Sequence, residues 1–174
     1  MRVFRPFLKK ENQIGKINKM LSDSLIKKTL ERSKTIAMIG VSSIKKEVST
    51  NIRRRPSTIV MKYMQEFGYR VIPVNPFSAG EKVNGEVIVA KLEDIKLPVD
   101  IVDVFRPSKE APKIAEESLK IGAKVFWLQY GIQNDEAKKI VEAKNIFYVS
   151  NKCIKQEYQR LFLKISPVFP ALKK

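Results

Sequence analysis

Thr35-Ile36-Ala37-Met38-Ile39-Gly40-Val41 (TIAMIGV, residues 35–41) is a short, nearly unbroken apolar run with Gly40 near its end. It does not alternate polar with apolar, as a strand with one wet face would. A run of this kind reads as a strand buried on both faces, the mark of a parallel sheet. Working outward, the same signal returns at Tyr69–Val74 (YRVIPV), Val99–Phe105 (VDIVDVF), Lys124–Leu128 (KVFWL) and Ile146–Val149. A possible short strand is read at Val87–Val89 and a helical turn at Leu92–Ile95.

Between these runs the spacing changes to that of a helix. Pro56-Ser57 starts one, with Ile59, Val60, Tyr63, Met64 and Phe67 on one face and Gly68 at its end. A second begins at Ser108 and turns Ala111, Ile114, Ala115, Ser118 and Leu119 inward, ending at Gly122. Asn134 caps a third, whose first turn holds Asp135 and Glu136, the favoured sign at a helix N-terminus. A fourth runs from about Ile154 to Lys164. Strands alternating with helices imply right-handed βαβ units. The expected fold is therefore α/β: a single-domain, Rossmann-like parallel sheet with helices on both faces. Residues 34–165 form that domain, preceded by a basic arm (1–33) with a short helix from Asp23 and followed by a tail (166–174).

In such folds ligands bind beyond the carboxyl ends of the strands, where strand order reverses. Four loops follow. The first opens with Gly40, Ser42 and Ser43: a glycine for a tight turn and hydroxyls to donate hydrogen bonds. It continues through Lys45, Lys46, Arg53, Arg54 and Arg55. The second holds Asn75 and Pro76, where an NAD site usually places an acid for the ribose hydroxyls. A neutral amide there, beside five cations, suits a ribose that carries a phosphate, as in coenzyme A or NADP. The third loop is Phe105-Arg106-Pro107-Ser108, in which the fork of Arg106 fits a pyrophosphate. The fourth, Gln129-Tyr130-Gly131, offers an amide and a glycine.

The chain carries 34 basic and 18 acidic side chains, a net charge of +16. That excess favours anionic partners. A nucleic-acid site would interleave aromatics with the cations, and the 45–55 loop has none. No apolar run approaches the roughly 20 residues of a membrane span. The basic N-terminus lacks the apolar centre of a secretory signal. One cysteine, Cys153, fits a reducing compartment, so a cytoplasmic protein is expected. There is no histidine, which removes His-based triads and general bases. One Cys and no His leave no zinc set. Cys153 is reactive only if positive neighbours such as Lys152 lower its pKa; otherwise it is packing.

Taken together, IAMIGVSS, RRPS, YRVIPVNP, GEKVNGEVIVAKLEDI, VDIVDVFRPS, GAKVFWLQYGI and NKC, in this order from about residue 35 to 160, resemble the small CoA-binding-domain proteins. These are related in fold to the nucleotide domain of the succinyl-CoA synthetase alpha subunit. The resemblance implies coenzyme A bound across the strand ends. By position it implicates Gly40, Ser42, Ser43, Arg55, Asn75, Pro76, Phe105, Arg106, Gln129 and Gly131. With no histidine and one cysteine, no catalytic residue and no metal site are expected. The chain departs from the family pattern in the longer first loop and in Asn151-Lys152-Cys153-Ile154, which lacks a proline. The expectation is non-catalytic binding of coenzyme A or an acyl-CoA. The alternatives are an NADP-dependent or other nucleotide-using enzyme, and a nucleic-acid-binding protein working through the arm and basic loop.

Overall fold

The computed structural model describes residues 7–43 and 56–164, with side chains from residue 18 onward. The cationic loop containing Lys45, Lys46 and Arg53–Arg55, and the tail 166–174, lie outside the described residues.

Residues 33–156 form one compact unit, an α/β domain. Its strands are β1 (Thr35–Ile39), β2 (Arg70–Val74), the two-residue β3 (Lys82–Val83) and β4 (Glu86–Val87), β5 (Ile101–Val104), β6 (Val125–Leu128) and β7 (Phe147–Val149). Five of them make a parallel sheet in the order β2-β1-β5-β6-β7, and β3 and β4 pair as a small antiparallel hairpin. Each strand of the sheet lies where an apolar run does, and β1, β5 and β6 are buried at nearly every position. The helices between strands are α2 (Pro56–Glu66), α3 (Ala111–Lys120) and α4 (Asp135–Glu142). The fold is the expected Rossmann-like one.

Chain order explains where a ligand could enter. From β1 the chain steps outward to β2, then returns across β1 to β5 and proceeds the other way through β6 and β7. The reversal lies between β1 and β5, and a crevice opens outside their carboxyl ends. Even residues of β5, Val102 and Val104, join Ala37, Ile39, Phe126 and Leu128 in the core cluster that also takes in Ile114 of α3 and Val141 of α4. Asp103 projects from the opposite face of the sheet, because neighbouring strand residues alternate.

Capping differs from the sequence reading at two starts. Asn134 caps α4 as expected, its Oδ1 accepting from the Ala137 N–H at 2.8 Å. Ser57, by contrast, is buried inside α2, and Pro56 takes the first helical position, where a missing N–H costs nothing. Ser108 begins a turn of 3-10 helix (Ser108–Glu110), and α3 starts three residues later.

β2 stands at the edge of the sheet, and its carboxyl half is covered by the returning chain. Val89 N–H donates to the Pro73 carbonyl (3.0 Å) and Asn75 N–H donates to the Val89 carbonyl (2.9 Å). Val74 and Val89 form an isolated parallel bridge.

The remaining described residues belong to a second, helical unit made of α1 (Phe7–Arg32) and the end of α5 (Ile154–Phe162). Here the structure corrects the expected arm with a short helix from Asp23: the helix is 26 residues long. Residues 7–32 contain no proline and one glycine, Gly15, and are otherwise rich in Lys and Leu, which enter helices at little cost. Within this unit Arg160 holds Asp23 through two hydrogen bonds of 2.7 Å and Glu157 at 2.6 Å. Among the described residues no helix is long and apolar enough to cross a membrane.

Candidate functional site

At the carboxyl ends of β1, β2 and β5 lies a cleft of about 600 Å³. Ile39, Val74, Leu92 and Ile114 give it an apolar floor. Arg106, Lys91, Lys109 and Lys113 bring four cations to it, against the carboxylates of Glu110 and Glu117. Phe77 stands at its edge, 74% exposed.

Gly40 shows how closely the chain crosses itself here. Its φ is +94°. A Cβ at this position would sit 2.8 Å from the Phe105 carbonyl oxygen and 3.1 Å from Arg106 Cδ. The glycine therefore lets the ends of β1 and β5 meet and lets the Arg106 stem cross above it. Its own N–H is taken by the Val74 carbonyl at 2.9 Å, so that amide is committed to the sheet.

Asn75 ties two of the loops together. It is buried, its Nδ2 donates to the Val41 carbonyl (2.9 Å), and its Oδ1 accepts from the Phe77 N–H (3.0 Å). This second bond caps the turn of 3-10 helix that begins at Pro76. The amide thus fixes the exit of β1 to the exit of β2. A carboxylate could not do both tasks, since it has no hydrogen to donate.

Arg106 leaves the end of β5 and is held by Glu110 one helical turn on. Nε donates to Oε2 at 2.9 Å and an Nη donates to Oε1 at 3.0 Å. Both side chains are about one-third exposed, at 36% and 34%. The paired fork is presented to the cleft in a fixed geometry.

Of the sequence-predicted residues, the cleft brings together Gly40, Asn75, Pro76 and Arg106. Ser42, Ser43, Phe105, Gln129 and Gly131 are not among those lining it. Ser43 is buried, and its hydroxyl is hydrogen-bonded to the Glu81 carboxylate. Phe105 is half-buried and donates its N–H to the Ile39 carbonyl. Gln129 is buried and donates its Nε2 to Asp103 Oδ1 at 2.7 Å. Gly131, at φ +81°, donates its N–H to Asn151 Oδ1 at 2.8 Å. Arg55 lies outside the described residues. Sequence reasoning missed Phe77, Lys91, Lys109 and Lys113. The last two could have been found, because Lys109 and Lys113 are one turn apart in the helix read from Ser108, at the end of the loop that holds Arg106.

The model of a family described as a CoA binding domain matches residues 34–159. The chain belongs to this CoA binding domain family. It is 40% identical to the uncharacterized protein YneT of Bacillus subtilis (strain 168) over 134 residues, 77% of this chain and 92% of that one. Among solved structures it is similar to cell-free ID.343 from Thermus thermophilus, at 38% identity and a TM-score of 0.72. That match covers 80% of this chain and 98% of the other. It is also similar to a hypothetical protein from Pyrococcus horikoshii OT3 (35% identity, TM-score 0.71), over 92% of this chain and 99% of that chain.

Two groups with chemical potential lie apart from the lining of the cleft. Asp103 is fully buried, one oxygen bonded to Gln129 and Oδ2 without a partner. Burial pushes its carboxyl up to about 7. Cys153 precedes α5. Burial pushes its thiol up, and Asp103 adds to that, while the backbone N–H groups of Gln156 and Lys155 and the positive charge of Lys155 oppose it. The activation by Lys152 considered above is not among these influences; the thiol is held protonated, the less nucleophilic form.

Proposed function

We propose that this CoA binding domain is a non-catalytic binder of coenzyme A or an acyl-CoA, held across the carboxyl ends of β1, β2 and β5. The observation that carries this reading is the cleft itself: four cations against two carboxylates around an apolar floor, at the point of strand reversal. Coenzyme A has a flat apolar-faced base and three phosphates, and so asks for this combination. The guanidinium edge of Arg106 that Glu110 leaves open suits a phosphate, Lys91, Lys109 and Lys113 add positive charge, and Phe77 offers a ring to the adenine. The locked, uncharged Asn75 favours a phosphorylated ribose over one bound by an acid.

A binding role rather than catalysis is supported by the sequence, which has no histidine. It is supported also by the position of Asp103 and Cys153, neither of which lines the cleft. Titration calorimetry with coenzyme A, dephospho-CoA, NADP and NAD tests the reading. Coenzyme A should bind most tightly, dephospho-CoA more weakly, and NAD weakest. Equal affinity for coenzyme A and NAD would overturn it, and an NADP preference would favour a nucleotide-using enzyme.

A further inference from the structure

Arg106 is held at two points. Its stem lies over Gly40, where a Cβ would come within 3.1 Å of Cδ. That contact limits the stem as far as Cδ and leaves the two torsions beyond it to decide where the guanidinium points. Glu110 decides them. Nε and one Nη donate to its two oxygens at 2.9 and 3.0 Å, a side-on pairing that a planar fork makes in one orientation. Both oxygens are spent on this grip: the start of α3, where Glu110 stands, has no hydrogen bond from a capping side chain. The pairing uses the Nε edge of the guanidinium and leaves the edge between the two Nη atoms open.

Glu110 is at the same time a carboxylate in the wall of a cleft that receives phosphates on the reading above. Its charge and its grip oppose each other. A phosphate on the open edge lies across the guanidinium from the acid, about a Debye length away, where repulsion through water changes affinity by about twofold. An arginine left unheld must be ordered when the ligand arrives, which weakens binding by up to roughly tenfold. Both side chains are about one-third exposed, at 36% and 34%, so water screens the longer-range repulsion while the direct contact persists. The grip therefore outweighs the charge.

We propose, on the reading of the cleft as a coenzyme A site, that Glu110 is a positioning residue for that ligand. It is an acid whose charge opposes the phosphates and whose hold on Arg106 still strengthens their binding, by keeping the open edge in place before the ligand enters. Charge alone gives the opposite expectation, that removing an acid from an anion site tightens it.

The test is titration calorimetry of coenzyme A into the full chain as a cycle of four proteins: wild type, Glu110→Gln, Arg106→Ala and the double variant. Glutamine keeps the shape and one acceptor but turns an N–H₂ toward the Arg106 donors, so the side-on pairing is lost. In the wild-type background Glu110→Gln should weaken binding about threefold to fivefold at about 0.15 M salt. The loss should grow at about 0.5 M, where the repulsion it relieves is already screened. In the Arg106→Ala background the same change should reverse sign, with no loss and a gain of up to about twofold. Glu110→Ala should repeat both results, and thermal melts show that each variant is folded. Binding by Glu110→Gln as tight as that of the wild type, or tighter, overturns the proposal and leaves the coenzyme A reading standing. So does an equal loss in both backgrounds, which would mean that Glu110 acts other than through Arg106. A wild type that does not bind coenzyme A overturns the reading and the proposal together.

Discussion

Replacing Asp103 by asparagine should change how stability depends on pH. Asp103 lies in the middle of the sheet, fully buried, and its Oδ2 has no partner. Desolvation raises the carboxyl from 3.8 to about 7, against the opposing effect of the Gln129 hydrogen bond. The folded state therefore prefers the protonated form. The stability contributed by this group is fully present below the unfolded value. It is lost as pH rises through the folded one, so the window runs from about 4 to about 7. At 1.36 kcal/mol per unit, that rise corresponds to about 4 kcal/mol. This is a large share of the 5–15 kcal/mol typical of a domain. The substituted amide would keep the Oδ1 acceptor for Gln129 and could not ionise; its unsatisfied N–H₂ would cost the same at every pH. Urea unfolding of both proteins at about pH 4 and pH 8 isolates the effect, because all other groups titrate alike and cancel. The variant should gain on the wild type by about 4 kcal/mol between the two pH values. Parallel pH profiles would refute the argument that burial holds a proton on Asp103.

Four further outcomes are expected. Arg106→Ala should weaken coenzyme A binding roughly tenfold to a hundredfold, the loss of a contact worth about 1.5–3 kcal/mol. Single substitutions of Arg53, Arg54 or Arg55 should cost less and lose effect as salt rises; calorimetry at two ionic strengths compares them. Gly40→Ala should destabilise the domain by more than the roughly 1–3 kcal/mol of backbone strain, because its Cβ meets the Phe105 carbonyl at 2.8 Å, and a lowered Tm reads this. Asn75→Ala should cost about 1–3 kcal/mol for the buried hydrogen bonds lost, seen in urea unfolding. Cys153 should alkylate with iodoacetamide more slowly than a free cysteine, followed by intact mass, and oxidised coenzyme A should add no mass to it, since its thiol is raised and it does not line the cleft.

The sheet was legible because each buried strand is an apolar run of the right length, and Asn134 was legible as a cap because its side chain acts locally. The strands begin up to two residues later than the apolar runs: Val99 and Asp100 precede β5, and Lys124 precedes β6. Half of the site followed from topology, which sends Gly40, Asn75 and Arg106 to one place. Lys91 and Phe77 did not follow, because residues 77–98 return to β2 through the Val89 bridge, a pairing that no local pattern announces. Ser43 and Gln129 have the right chemistry for a ligand, yet Glu81 and Asp103, distant in sequence, engage them. Helix α1 was underread for a simpler reason: apolar residues on two faces blur the single stripe by which a helix is recognised.

The segment that bridges to Val74 also settles what can happen along that flank. An uncovered outer strand is a template on which another chain can build. Here Val89 occupies the Pro73 carbonyl, and Pro73 itself has no hydrogen to offer a newcomer. Strand-by-strand growth is thus blocked at the carboxyl half of β2, beside the cleft. At the other flank the template is β7, three residues long. Of the two flanks of the described sheet, the one beside the cleft is therefore the poorer template for growth by backbone hydrogen bonds.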